Sequence, residues 1–112
     1  MGAHYKGDLN PVNAMVADGY DRAAPNGVGH VKVARNYAAS LEPASVAKQV
    51  RFPINFYLDA KEHRFVDEFG TSNFIALKDN TSITPVSDSI LSGITNVSLM
   101  QIAEDFGMKV KR

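Results

Sequence analysis

Ile54-Asn55-Phe56-Tyr57-Leu58-Asp59, followed across Lys61-Glu62-His63 by Arg64-Phe65-Val66-Asp67-Glu68-Phe69, reads as two strands joined by a polar turn. In the first run (residues 53–59) Ile54, Phe56 and Leu58 alternate with Asn55 and Tyr57, the period-2 pattern of a strand with one face toward a core. Residues 64–69 form the second strand. Residues 72–77 read as a third, and the turn Lys78-Asp79-Asn80 leads to a short fourth near residues 82–85. On the N-terminal side, Ala38, Leu41, Ala44 (or Ser45) and Lys48 recur at helical spacing, which predicts a helix over residues 36–50 that Pro43 should kink or split. On the C-terminal side, a helix should open near Ile94-Thr95. Val97, Met100, Ala103 and Phe106 give it one apolar face, widened by Leu99 and Ile102. Gly107 suits the residue after that helix, and residues 108–111 look like the start of another strand. Residues 6–30 carry mostly turn signals, among them Lys6-Gly7-Asp8, Asp18-Gly19 and Pro25-Asn26-Gly27. The expected class is α+β: a strand meander packed with two main helices.

Composition narrows what such a domain does. A chain of 112 residues has room for one domain, and residues 1–112 are read as a single unit. Twelve basic residues balance 12 acidic ones, so no electrostatic footprint for nucleic acid or an anionic membrane is expected. No apolar run reaches the ~18–20 residues of a membrane span, and Met1-Gly2-Ala3-His4-Tyr5-Lys6 lacks the apolar core of a signal peptide. With no cysteine, thiol catalysis, disulfides and cysteine-bound metal are excluded, and a cytoplasmic protein is expected. His4, His30 and His63 are far apart and have no partner at metal-ligand spacing, so no metal site is expected. No serine lies in a Gly-x-Ser-x-Gly elbow, and Gly27-Val28-Gly29 is a poor dinucleotide fingerprint.

Three features carry more chemistry. Lys32 lies between Val31 and Val33; burial there would make it a reactive amine, whereas snorkelling would leave it an ordinary surface lysine. Glu68, between Val66 and Phe69, is either a functional carboxylate or one held in an ion pair or at a sheet edge. Gly93-Ile94-Thr95 opens a helix whose free N–H groups suit a phosphate, or only water. An amine for an aldehyde, a carboxylate for a ring nitrogen and a helix end for a phosphate together make the parts of a pyridoxal-phosphate site.

Lys-x-x-x-Asn-Tyr-Ala-Ala-Ser-Leu (residues 32–41), Asp-Glu-Phe-Gly-Thr-Ser-Asn-Phe (67–74) and Thr-Pro-x-Ser-Asp-Ser-Ile-Leu-x-x-Ile-Thr (84–95) resemble the branched-chain amino-acid aminotransferases, fold-type IV pyridoxal-phosphate enzymes. Tyr20-Asp21-Arg22-Ala23 fits the same register. The resemblance implies that Lys32 carries the cofactor and shuttles the substrate proton. It implies that Tyr37 hydrogen-bonds the cofactor's 3′-oxygen and that Glu68 faces its ring nitrogen. Thr71 would lie near cofactor and substrate, and Ile94 and Thr95 would hold the phosphate. The implied reaction moves the amino group of leucine, isoleucine or valine to 2-oxoglutarate, in branched-chain amino acid biosynthesis.

Two departures fall at the site. Ala34-Arg35 stands where the family has Gly-Gly, so Arg35 is expected to distort the turn that aims Lys32. Leu91-Ser92 replaces the family's Leu-Pro and should loosen the approach to the phosphate-binding helix. The resemblance also covers only the middle of the family's large domain, without the small domain or the C-terminal part. A fragment of such an enzyme is therefore expected, one whose pocket, without the carboxylate loop and the second domain, is not expected to orient substrate by itself, and a homo-oligomer is expected. The alternatives are a non-catalytic folded fragment that self-associates, or another fold-type IV enzyme such as D-amino-acid aminotransferase or aminodeoxychorismate lyase.

Overall fold

The computed structural model of the chain describes residues 9–112; the turn signals at Lys6-Gly7-Asp8, and His4, lie outside the described residues. The elements run β1 (Ala14–Val16), α1 (Arg35–Ala38), α2 (Leu41–Gln49), β2 (Ile54–Leu58), β3 (Val66–Phe69), β4 (Ala76–Lys78), β5 (Thr81–Ile83), α3 (Ile94–Asp105) and β6 (Lys109–Lys111). The class is α+β, with the strands divided between two three-stranded sheets ordered β1-β2-β3 and β4-β5-β6. Each sheet combines an antiparallel pair with a parallel strand reached through a helical connection. In the first, α1 and α2 connect β1 to β2, pairing Ala14 with Ile54 and Val16 with Phe56. In the second, α3 connects β5 to β6, pairing Thr81 with Lys109 and Ile83 with Lys111. Parallel partners need such long crossovers because a tight turn can only reverse the chain.

Local chemistry sets the turns. Asp79 and Asn80 take φ of 50° and 55°, which gives the tight two-residue reversal between Lys78 and its partner Thr81. Between β2 and β3 the Asp59 carboxylate accepts N–H groups from Glu62 (2.7 Å), Arg64 (2.9 Å) and Phe65 (2.7 Å). These bonds favour the charged form, so Asp59 titrates at about 2. Past α3, Gly107 sits at φ 78°, its N–H on Glu104 O, while the Met108 N–H reaches Ala103 O. This pair of bonds closes the helix as the sequence predicted.

Three expectations change. The expected helix over residues 36–50 divides at Ala39 and Ser40, upstream of Pro43. Pro43 then lies in the first turn of α2, where its missing N–H breaks no intrahelical bond. On β2 the buried residues are Asn55 and Tyr57, not Ile54, Phe56 and Leu58. Tyr57 fills the interior, and Asn55 Nδ2 donates to its hydroxyl at 2.9 Å, which removes the penalty of burying either polar group alone. The opposite face is not bare, because the Phe56 ring packs at a tilt against Phe69 and Phe74 at centroid distances of 5.2 and 5.4 Å. The expected strand over residues 72–77 survives as a single bridge from Asn73 to Glu68 and as β4. The Phe69 N–H bonds Ser72 O, so the chain reverses directly after β3.

The core is small. Its buried apolar residues include Ala17, Ala47, Tyr57, Met100 and Ala103. On α3 only Met100 and Ala103 of the expected face are buried, and Phe106 is 82% exposed. Much of the remaining interior is polar, with Asp67, Glu68, Thr84 and Ser89 gathered near the ends of β3 and β5. No helix among the described residues is long and apolar enough to cross a membrane.

Candidate active site

A cavity of about 610 Å³ opens where three segments meet: the loop before α1 with α1 itself, the end of β3, and the start of α3. Lys32, Tyr37, Glu68, Thr71 and Thr95 all line it. Ile94 does not: it opens α3 as a residue 87% exposed, outside the cavity lining.

The first wall is held by Asn36. Its Nδ2 donates to Val28 O at 2.9 Å and Val31 O at 2.8 Å, clamping the loop on which Lys32 sits. The Val31 N–H closes a turn onto Val28 O, and the Val33 N–H bonds Val31 O. Asn36 thus shapes the loop while its neighbour Tyr37 faces the cavity. Burial of Lys32 between its two valines does not occur. Lys32 is exposed at the cavity wall because its segment is an open loop rather than a strand. Nor does Arg35 distort the turn. Ala34 takes φ −58° and ψ −32°, ordinary helical values that need no glycine, and Arg35 begins α1 as an exposed residue outside the cavity lining.

The second wall carries a buried carboxylate. Glu68 is 4% exposed. Its Oε1 pairs with Arg22 Nη2 at 2.5 Å and accepts the Leu91 N–H at 3.2 Å, while Oε2 accepts Asn73 Nδ2 at 3.2 Å. Burial pushes the Glu68 carboxyl above its ordinary value, and neighbouring Asp67 adds to this; Arg22, the Leu91 N–H and Asn73 pull the other way. Asp67 itself accepts the hydroxyls of Ser87 (2.9 Å) and Ser89 (3.1 Å), which ties the 87–91 segment to β3.

The third wall is the N-terminus of α3. Gly93 caps it with no side-chain bond, and the first turn contains no acidic residue. The first N–H to find a partner within the helix is that of Val97, on Gly93 O, which leaves Ile94, Thr95 and Asn96 as the free donors of the turn. A Cβ at Gly93 would lie 2.3 Å from Asn73 Oδ1. Glycine is therefore what lets the helix start come down against the Asn73 amide, whose Nδ2 also donates to Leu91 O at 2.8 Å. The Leu91-Ser92 departure leaves this approach held by Leu91's backbone bonds to Glu68 and Asn73.

Sequence reasoning missed Arg22, Asn73 and the clamping part of Asn36. A signal existed for Arg22: a carboxylate expected on an inner strand calls for a cation, and Arg22 stood in a quoted motif without a role. His63 takes another part, pairing with Asp21 at 2.6 Å on the surface.

The class IV aminotransferase ("Amino-transferase class IV") family pattern matches residues 5–112. A branched-chain-amino-acid aminotransferase of Haemophilus influenzae is 48% identical over 111 residues, covering 94% of this chain and 32% of the relative. The solved branched-chain amino acid aminotransferase of Escherichia coli superposes with a TM-score of 0.79 at 30% identity, over 90% of this chain and 34% of that one. The T.th. branched-chain amino acid aminotransferase, solved in complex with N-(5′-phosphopyridoxyl)-L-glutamate, gives 0.77 at 25% identity, over 89% and 33%. The chain thus spans about a third of the length of the relatives it matches. By this match, running through all three walls of the cavity, the chain belongs to the class IV aminotransferase family.

Proposed function

We propose that the protein is a pyridoxal 5′-phosphate-dependent aminotransferase that moves the amino group of leucine, isoleucine or valine to 2-oxoglutarate, with Lys32 bearing the cofactor. The observation that carries this reading is the meeting of Lys32, Tyr37, Glu68, Thr71 and Thr95 on one cavity. The donor set fits the cofactor group by group. An amine suits its aldehyde, a phenol its ring oxygen, a buried carboxylate its ring nitrogen, and an uncapped helix start its phosphate. The cavity is also of the usual size for a small-molecule site, about 300–1,000 Å³.

When bound, the cofactor supplies an electron sink for the negative charge that develops at the substrate α-carbon. The chain's residues do the rest. Lys32 holds and returns the proton at that carbon. Tyr37 donates to the ring oxygen, and Glu68 faces the ring nitrogen. The N–H groups of Ile94 and Thr95, with the Thr95 hydroxyl, bind the phosphate, favoured by the positive end of the α3 dipole. In this reading residues 1–112 form a portion of the cofactor-binding large domain, and the remaining elements found in longer relatives complete the substrate pocket. A cytoplasmic location and a homo-oligomeric state belong to the same proposal.

The test is chemical. The intact protein is incubated with pyridoxal phosphate, reduced with borohydride, digested and weighed. A phosphopyridoxyl group on the Lys32 peptide, absent after Lys32→Ala, is expected, together with leucine-dependent conversion of 2-oxoglutarate to glutamate. Modification spread over other lysines with Lys32 untouched refutes the assignment.

A further inference from the structure

Arg22 lies outside every motif role assigned above, yet it is nearly buried, with its side chain 10% exposed against 5% for Glu68. A single nitrogen, Nη2, stands within hydrogen-bonding distance of three oxygens: Glu68 Oε1 at 2.5 Å, Ser89 O at 2.5 Å and Gly29 O at 2.9 Å. These oxygens come from three different places. Glu68 belongs to β3, Gly29 to the loop that leads to Lys32, and Ser89 to the segment that leads to α3. The same three segments form the walls of the cavity.

We propose that Arg22 is a positioning residue that keeps Glu68 ionised and, through the carbonyls of Gly29 and Ser89, sets the spacing between the Lys32 loop, β3 and the approach to α3. The proposal rests on the reading that Glu68 faces the ring nitrogen of the cofactor. Its physical basis is the burial of the carboxylate. A buried carboxyl left without a cation takes up a proton, and a neutral acid cannot pair with a protonated ring nitrogen. The groups that face Glu68 are few. Arg22 approaches from the segment after β1, Asp67 adjoins it on β3, Asn73 and the Leu91 N–H donate to it, and Lys32 lines the same cavity. Of these, only Arg22 brings a positive charge into direct contact. The guanidinium is also suited to the second task by its reach: all three contacts run through Nη2, which lies one bond farther from the backbone than a lysine Nζ, so a lysine here brings a charge but falls short of the two carbonyls.

The experiment uses the intact protein without cofactor, labelled with carbon-13 at the glutamate side-chain carboxyls, and follows Glu68 by NMR against pH. Glu68→Gln assigns the resonance. In Arg22→Met the midpoint of Glu68 moves up by about one pH unit or more, the usual effect of removing an adjacent opposite charge. In Arg22→Lys it stays near that of the parent protein, while the amide resonances of residues 29–33 and 89–91 shift because the carbonyl contacts are lost. The double variant Arg22→Met with Glu68→Gln removes both charges and recovers folding if Arg22→Met alone does not fold. An unchanged midpoint in Arg22→Met overturns the electrostatic part. Should that variant not fold, a failure of the double variant to recover folding overturns it instead. Unmoved loop amides in Arg22→Lys overturn the spacing part. Because none of these readings involves the cofactor, failure of pyridoxal phosphate to load the parent protein would count against the proposed function alone.

Discussion

Replacing Asn36 by alanine removes the two bonds that hold the Lys32 loop, from Nδ2 to Val28 O and Val31 O. A neutral hydrogen bond contributes about 0.5–1.5 kcal/mol net, so two bonds bound the loss at about 1–3 kcal/mol. Both bonds are exposed, so water can reach the freed carbonyls and the loss should fall in the lower half, about 1–1.5 kcal/mol. The loop is a local unit, so most of this acts on its own open–closed equilibrium. If pyridoxal phosphate binds only the closed loop and the alanine variant's loop is mostly open, the apparent affinity falls about 5–15-fold. Two measurements on the intact protein check this. Amide exchange at Val31 and Val33, whose N–H groups are bonded within the loop, should speed up by a similar factor. Cofactor titration by absorbance should show the matching loss. Asn36→Asp is the sharper control, because an ionised aspartate keeps the size of the side chain but donates nothing. An affinity within twofold of the parent in both variants, with unchanged exchange at Val31 and Val33, refutes the clamp.

Two further outcomes follow from the turns. Gly93→Ala places a methyl 2.3 Å from Asn73 Oδ1, so Asn73 must move and its bonds to Glu68 and Leu91 weaken. Cofactor affinity should drop about tenfold, consistent with roughly 1.4 kcal/mol, and a full-strength titration curve for the variant would contradict the close approach. Asp59 has its folded value depressed to about 2 from 3.8, so its stabilising effect is present above pH 3.8 and is lost as pH falls toward 2. Asp59→Ala should therefore melt lower than the parent near neutral pH, with the gap between the two closing in acid; a gap that is constant from pH 6 to 2 would contradict the charge-assisted turn.

Most elements were legible because their signals are local. The α3 start at Ile94 and its stop at Gly107, the β2–β3 reversal around Asp59 and the Asp79-Asn80 turn each depend on residues within a few positions of one another. Where the outcome depended on distant partners, local pattern failed. The alternation in residues 54–58 is the same whichever face a second layer covers, so it could not say that Asn55 and Tyr57 would be the buried pair. Periodicity ran straight through residues 39–40, where the helix divides, because apolar spacing does not register a local break that places Pro43 in a new first turn.

At the site, the chain itself determined which reactive groups exist: one lysine in a clamped loop, a phenol five residues on, a carboxylate on β3 and a helix start without a side-chain cap. Tertiary structure decided what surrounds them. It chose the exposed state of Lys32, at a cavity wall, over burial between the valines, and it gave Ala34 helical angles with Arg35 outside the cavity lining. It also brought Arg22 across 46 positions of chain onto Glu68. A buried charge must find its counter-ion wherever the fold delivers one, and that choice is made in space, over separations that no short motif records.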